Sequence, residues 1–448
     1  MTADGKRTAA DGKRTAANGK RTAYVNARLL DPASGRDCLG ALLTEGTQIL
    51  DLGPDLFADG VPEGIEQVDC NGHCLAPGLV DARVQLREPG CEHEETIATA
   101  SLAAAAGGVT TMLCLPNTQP VIDDVALVEL VKRRAQEANL VNIYPYAAIT
   151  KGLAGEQIAE MGLLAEAGAI AFTDGTVAVR NPMTFRRALS YARSFDLLLV
   201  QHPEDPDLAK EGAMNEGELA TRLGLPGIPT VAETILVERD LSLLANTGGR
   251  LHIAHLSTAD AVAAVRRAKA RGLAVTCETA PPYFALNETA VGDYRTFSKI
   301  SPPLRSEDDR LAILDGLRDG TIDAIASDHA PHDQDSKRRP FVQAENGIVG
   351  LETLLPLTLE LFHNGTLPLL RALEALTCAP ARIFRLNAGI LAKGAPADLV
   401  LFDLEKPGKI DVESFQSKSK NSPFDGRPIQ GAVLQTVAAG RTVFVRKN

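Results

Sequence analysis

Between residues 77 and 332 short apolar runs alternate with longer segments whose apolar residues recur every three or four positions. Eight runs read as strands: LAPGLVDARVQL, VTTMLCLP, LVNIYPYAAI, AIAFTD, LLLVQHP, RLHIAHLS, LAVTCETAP and DAIASDHAP. Between them lie helical segments, including ATASLAAAAG, DDVALVELVKRRAQEA, EQIAEMGLLAEAG, MTFRRALSYARSF, VAETILVERDLSLLA, ADAVAAVRRAKARG and DDRLAILDGLRDG. Seven helices between eight strands predict an α/β fold of the parallel (β/α)8 TIM-type barrel class rather than an open doubly wound sheet. The span matches the roughly 250 residues usual for that barrel. A further helical stretch at residues 354–376 closes the ring, so the barrel is assigned to residues 77–389.

The chain ends have a different texture. Residues 24–76 carry short apolar segments broken by Gly, Pro and Asp, and the same texture returns in ADLVLFDL and AVLQTVAAGRTVFV. Residues 24–76 and 390–448 are therefore expected to pair into one small flanking β-domain built from both ends. Residues 1–23 repeat a seven-residue unit, DGKRTAA, with no large apolar residue to form a coiled-coil seam and a Gly in each unit. They are expected to be a solvated, disordered tail.

Six basic and two acidic side chains give that tail +4, and the formal charge of −11 leaves −15 for the rest. This excludes a general nucleic-acid binder, which needs a basic face. No run of about 18 uncharged apolar residues offers a membrane span. Cys38, Cys70, Cys74, Cys91, Cys114, Cys277 and Cys378 are scattered without metal-type spacing. They read as reduced, buried small apolar residues of a cytoplasmic protein.

In such a barrel the active site forms at the carboxy ends of the strands. Strand one ends in Arg83, Gln85, Arg87 and Glu88, strand two in Asn117, strand four in Asp174, strand five in His202, strand six in His255, and strand eight in Asp328 with His329 and His332. A helix cap or a core histidine explains any one of these, but not their collection at one end. His202, His255 and a carboxylate from a third strand form a zinc set, because zinc takes imidazole nitrogen and carboxylate oxygen and catalytic sites leave a position open. Asp328 is suited to take a proton from water and return it to a leaving nitrogen. His73, His93 and His363 read as surface residues. His252, three positions before His255, is expected on the opposite side of the strand as a packing residue. His332, in the loop after strand eight, is a candidate substrate contact.

The motifs PGLVDARVQLREPG, LPNTQP, AFTDG, QHPED, HIAHLST, SDHAPH, ENGIVGLET and SKSKNSPFDG, in this order, resemble dihydroorotases of the class I type in the amidohydrolase superfamily, including their non-catalytic relatives. The resemblance covers nearly everything from Tyr24 onward. It implies a zinc-dependent hydrolase acting on cyclic amide C–N bonds, converting N-carbamoyl-L-aspartate reversibly to dihydroorotate in pyrimidine biosynthesis. It also implies Asp174 as bridging metal ligand, His202 and His255 as ligands of the second metal, Asp328 as the catalytic aspartate, and Arg87, Asn117 and His332 as substrate-binding groups. A guanidinium suits a substrate carboxylate because its planar fork pairs both oxygens. The segment 333–353, with Gly347 and Gly350, corresponds to a mobile stretch flanking the pocket.

The departure from the family lies in strand one, where the His-x-His that holds the first metal reads Arg83-Val84-Gln85. Neither side chain is a normal zinc ligand, and a guanidinium brings positive charge where a cation sits. The run Pro281–Pro282–Tyr283 also replaces a Pro-His-His pattern. The reading adopted is a hydrolase with one zinc per chain, held by Asp174, His202 and His255, with Arg83 supplying part of the missing charge. The alternative is a catalytically inactive subunit, with or without zinc, that stabilises aspartate carbamoyltransferase. A hydrolase of hydantoin or allantoin fits less well, because those relatives place a modified lysine where Asp174 stands. The expected substrate is a small carboxylated cyclic amide, and a homo-oligomer is expected.

Overall fold

The computed structural model describes residues 19–447, so most of the repeat tail lies outside the described residues. The last repeat unit does not belong to a tail. The first strand of the flanking sheet begins inside it, at Arg21, and Ala23 is wholly buried. That strand (Arg21–Asp31) pairs antiparallel with Arg36–Glu45, and its start runs parallel to Glu66–Asp69, which gives Thr22 and Ala23 partners on both sides.

The two chain ends do share one sheet. Cys74–Pro77 joins the amino-terminal strand at Arg28↔Cys74 and the carboxy-terminal strand Leu399–Lys409 at Leu75↔Leu401. Its inner face packs Tyr24, Leu29, Leu42, Leu75, Leu399 and Leu401 into one cluster. Val400, Phe402 and Val433 belong instead to the large core outside the barrel staves.

The barrel staves follow the order of the chain. Leu79–Val84 pairs parallel with Val109–Cys114, which pairs with Asn142–Pro145. Leu198–Gln201, Arg250–Ile253, Val275–Thr279 and Ala324–Ile325 form the second arc. Bridges at Ala147↔Phe172, Phe172↔Leu199 and Val84↔His329 close the circle. The fourth stave, expected as the strand AIAFTD, is reduced to the bridge residue Phe172. Its backbone still bonds both neighbours, Thr173 N to Ala147 O at 2.9 Å and Val200 N to Phe172 O at 2.8 Å. The chain then turns at Gly175, whose φ of +72° belongs to the left-handed region.

Helices begin where a side chain takes the orphan amide protons of the first turn. Thr96, Asp124, Asn181, Thr258 and Ser306 cap the helices Ile97–Ala106, Val125–Ala138, Pro182–Ser194, Ala259–Ala270 and Glu307–Asp319. Each such cap contributes about 1 kcal/mol. The barrel interior mixes small side chains, among them Val80, Ala82, Ala171, Val200, Ala254, Ala324 and Ala326, with the larger Leu113, Leu115, Leu198 and Tyr146. Phe384, from the helix Cys378–Phe384, plugs the end opposite the site, its ring 5.8 Å from Tyr146 and 5.5 Å from His252. No helix among the described residues is long and apolar enough to cross a membrane. The cysteines are all free thiols, but Cys38 and Cys91 are half-buried rather than buried. Cys38 lies on a strand of the flanking sheet with exposed neighbours, and Cys91 in the loop after strand one.

Candidate active site

Three non-glycine residues at the carboxy ends of the staves have left-handed backbones: Arg87 at φ 59°, His255 at 29° and Asp328 at 52°. Such conformations cost on the order of 1–3 kcal/mol each and persist where surrounding structure forces them, most often at functional sites. The alternation that would put His252 and His255 on opposite faces stops at Ile253, where the strand ends. The rings are separated by height instead. His252 stacks on the Phe384 plug and bonds Thr276 Oγ1 at 2.8 Å, while His255 meets His202 at the other end.

His202 and His255 form a buried pair, with Nδ1 of the first and Nε2 of the second 3.0 Å apart. Both rings are held neutral. Burial, aided by the charge of Arg83, lowers the pKa of His202 to about 3, and the same two causes take His255 well below the usual histidine range. The other nitrogen of His255, Nδ1, is buried without a partner. Tyr283 stands beside this pair, its ring 6.4 Å from that of His255 and its hydroxyl donating to Pro302 O at 3.0 Å.

Arg83 enters the site from strand one with only 3% of its side chain exposed. Its Nε donates to Asp328 Oδ1 at 2.8 Å and its Nη2 to Gly175 O at 3.0 Å, while Nη1 is buried and unpartnered. Asp328 has a raised pKa, because burial outweighs the opposing attraction of Arg83. Asp174 turns toward the chain after strand three. Its Oδ1 accepts the amide protons of Ile149 and Thr150, both at 2.9 Å, and its Oδ2 accepts the Thr150 hydroxyl at 2.5 Å. Burial lifts its pKa to about 6 against these three donors. With its oxygens so engaged, Asp174 is not brought together with His202 and His255. Among the described residues, the trio of potential ligands whose donor atoms all lie within 4.8 Å is His93, Glu94 and Asp333, at the rim.

Arg87, the expected carboxylate binder, does not stand free. Its Nε lies 2.9 Å from Glu94 Oε2 and 3.0 Å from Pro331 O, and its Nη2 is 3.1 Å from His332 Nε2. His332 in turn meets Glu94 Oε1 at 3.1 Å and Asn346 O at 2.9 Å. Asn117 donates to Gln85 Oε1 at 3.0 Å, so the second departed position of strand one steadies a substrate-binding candidate. His329 is structural: Nδ1 accepts the Gly350 amide at 3.1 Å and Nε2 faces Glu95 at 3.5 Å, both side chains fully buried. Only glycine fits at position 350, where a Cβ would lie 2.4 Å from Ser327 O.

A family model described as dihydro-orotase-like matches residues 72–261. A dihydroorotase of Anaplasma phagocytophilum is 51% identical over 94% of each chain, and one of Pelobacter propionicus is 48% identical over 94% of this chain and 99% of its own. The chain belongs to the dihydroorotase family. Among solved structures, the L-hydantoinase of Arthrobacter aurescens superposes with a TM-score of 0.85 at 25% identity, covering 95% of this chain and 96% of its own. The dihydropyrimidinase of Brevibacillus agri, at 23% identity over 96% of both chains and a TM-score of 0.81, shares the fold.

Metal dependence goes with this family, and the imidazoles of His202 and His255 are the donors this site offers an ion. Arg83 and Gln85 offer a cation and an amide where a first ion needs donors. His202 Nδ1 and His255 Nε2 belong to neutral, buried rings and are hydrogen-bonded to each other at 3.0 Å, so one of them carries the shared proton. Asp174, as arranged, supplies no third donor.

Two further groups of this dihydroorotase-family site escape a strand-end reading. Glu94 and Glu95 lie in the loop EHEE beside His93, which alone of these residues has a place assigned from sequence, at the surface. Glu94 is bound into the Arg87–His332 cluster, and Glu95 holds His329 and accepts from the amide of Lys418 at 3.2 Å. The segment 333–353, expected as a mobile flank, is anchored by hydrogen bonds at several points and exposed between them. Lys337 Nζ donates to Glu345 O at 2.6 Å, Lys299 Nζ to Ala344 O at 2.7 Å, and Asn421 Nδ2 to Gly347 O at 3.1 Å.

Proposed function

We propose that this chain hydrolyses the ring amide of dihydroorotate to N-carbamoyl-L-aspartate, reversibly, with a single zinc ion held by His202 and His255. The observation that carries the reading is the convergence, at one end of the barrel, of a neutral imidazole pair, the half-buried carboxylate of Asp328 and the guanidinium of Arg87. A zinc ion held by the two imidazoles would supply Lewis acidity.

The chain's own residues divide the remaining work. Asp328 takes the proton of the attacking water on the oxygen not bound to Arg83 and returns it to the leaving ring nitrogen. Its raised pKa makes it a stronger base than an ordinary aspartate. Arg87, with Asn117 and His332 beside it, orients the substrate through its carboxylate. A cyclic amide without a carboxylate gains nothing from Arg87, which favours dihydroorotate over a simple hydantoin.

The test is the rate of dihydroorotate hydrolysis by purified, zinc-supplemented protein against Asp328→Ala. Loss of about 10²–10⁴-fold in the variant is the expected result for a lost general base. Equal background rates in both, with metal bound, would overturn the reading and turn attention to a non-catalytic partnership with aspartate carbamoyltransferase.

A further inference from the structure

Resting on the hydrolytic reading above, we propose that Arg83 is a catalytic residue: its Nη1 donates to the oxygen of the scissile carbonyl and holds the negative charge that develops there. Two of its three guanidinium nitrogens are pinned, Nε on Asp328 and Nη2 on Gly175, which fixes the plane of the group. The third nitrogen is buried and bonded to nothing. A charged donor left in this way is expensive, and native proteins keep few of them. The fork belongs to the site by its contact, since its Nε is bonded to Asp328, the proposed base, at 2.8 Å. A donor locked in place before reaction, next to the base and in a dry setting, is the arrangement that stabilises an oxyanion most effectively.

In the step so assisted, a solvent water forms the new C–O bond to the carbonyl carbon as its proton passes to Asp328. The π electrons of the C=O bond move onto the oxygen, which accepts from Arg83 Nη1. As the carbonyl reforms, the C–N bond breaks with its electron pair on nitrogen, and that nitrogen takes the proton from Asp328. No redox partner is needed, and Arg83 keeps its own protons throughout.

The experiment compares zinc-loaded wild-type protein with Arg83→Gln, Arg83→Lys and Arg83→Ala on dihydroorotate, with zinc content and melting temperature measured for each. Arg83→Gln is expected to lose about 10²–10³-fold in kcat, with KM changed by less than about threefold, the pattern of an interaction made only in the transition state. Arg83→Lys, which keeps a charge but cannot bridge Asp328 and Gly175 as well, guards against a variant that fails to fold, and is expected to lose about tenfold. Free guanidinium should restore part of the rate to Arg83→Ala. Folded, zinc-loaded Arg83→Gln with wild-type kcat would overturn the proposal while leaving the hydrolytic function standing, as would a loss that appears only in KM. A wild-type protein without turnover would remove the functional reading and this one with it.

Discussion

The strand-one side of the barrel mouth is built from full charges, Arg83 against Asp328 and Arg87 against Glu94 with His332 between strands one and eight. The side formed by strands five and six carries none, since His202 and His255 face each other as neutral rings in a wholly buried setting. Both sides lie at the same mouth of the barrel, yet one brings its own permanent cation and the other only neutral nitrogens. A protein cation is always present and cannot be chelated, but its strength is set by the carboxylates that hold it in place. Lone pairs do nothing alone and gain their effect from a bound ion. The proposed single-ion reading rests on this contrast between a fixed cation and a neutral imidazole pair. The Arg83 guanidinium, on strand one, bonds Asp328 and the Gly175 carbonyl on the other side of that contrast.

The largest effect should come from emptying the neutral side. In His202→Ala, bound zinc should fall from about one equivalent to a small fraction of that, with kcat reduced by on the order of 10³ or more, because a single remaining imidazole cannot retain the ion. Elemental analysis reads the first and steady-state kinetics the second. Zinc retained at one equivalent would show that the ion sits elsewhere, and would break the comparison at its neutral half.

Arg87→Met probes the charged side away from the bond being broken. Charge-assisted hydrogen bonds to a carboxylate are worth roughly 1.5–3 kcal/mol, so KM for dihydroorotate should rise by about 10–150-fold while kcat falls much less. A fall in kcat alone would mean that Arg87 acts on the chemistry rather than on the carboxylate, and would blur the division between the two cations.

Much of this arrangement was legible in the chain before any coordinates. Strand periodicity located the staves, because each carries a buried apolar run, and the carboxy-end rule collected Arg83, Arg87, Asn117, His202, His255 and Asp328 at one mouth. What periodicity could not reach was partner choice. Glu88, five residues from Arg83, was an equally near acid, yet it caps Ile97 N at 2.9 Å and faces Arg134 instead, while Arg83 takes a carboxylate 245 positions away. Asp174 illustrates the same limit. Its residue type suits a metal ligand, but two amides and a hydroxyl at residues 149–150 reach it first, and only tertiary contact shows that. Glu94 was hidden because a run of acids on a loop looks like solvated surface, whereas its partner His332 arrives from 238 residues further on.

Glu94 also gives the smallest and most discriminating test of the charged side. Its carboxyl is pulled upward by burial, but the bond to His332 and the charge of Arg87 outweigh this and hold it below the usual range. It therefore stays ionised at neutral pH and competes with a substrate carboxylate for Arg87. A group depressed in this way adds stability above its unfolded pKa and loses it as the pH falls through the folded value. Glu94→Gln should thus melt at a lower temperature than wild type at neutral pH, with the gap closing in acid. In the same variant Arg87 faces no rival anion, so KM for dihydroorotate should drop by about two- to fivefold, a modest gain because Pro331 O and His332 still hold the guanidinium. Lower stability together with tighter substrate binding would identify Glu94 as an internal stand-in for the substrate carboxylate. A higher KM would instead make it the group that aims Arg87, and the charged side would then be positioned by its own anions rather than restrained by them.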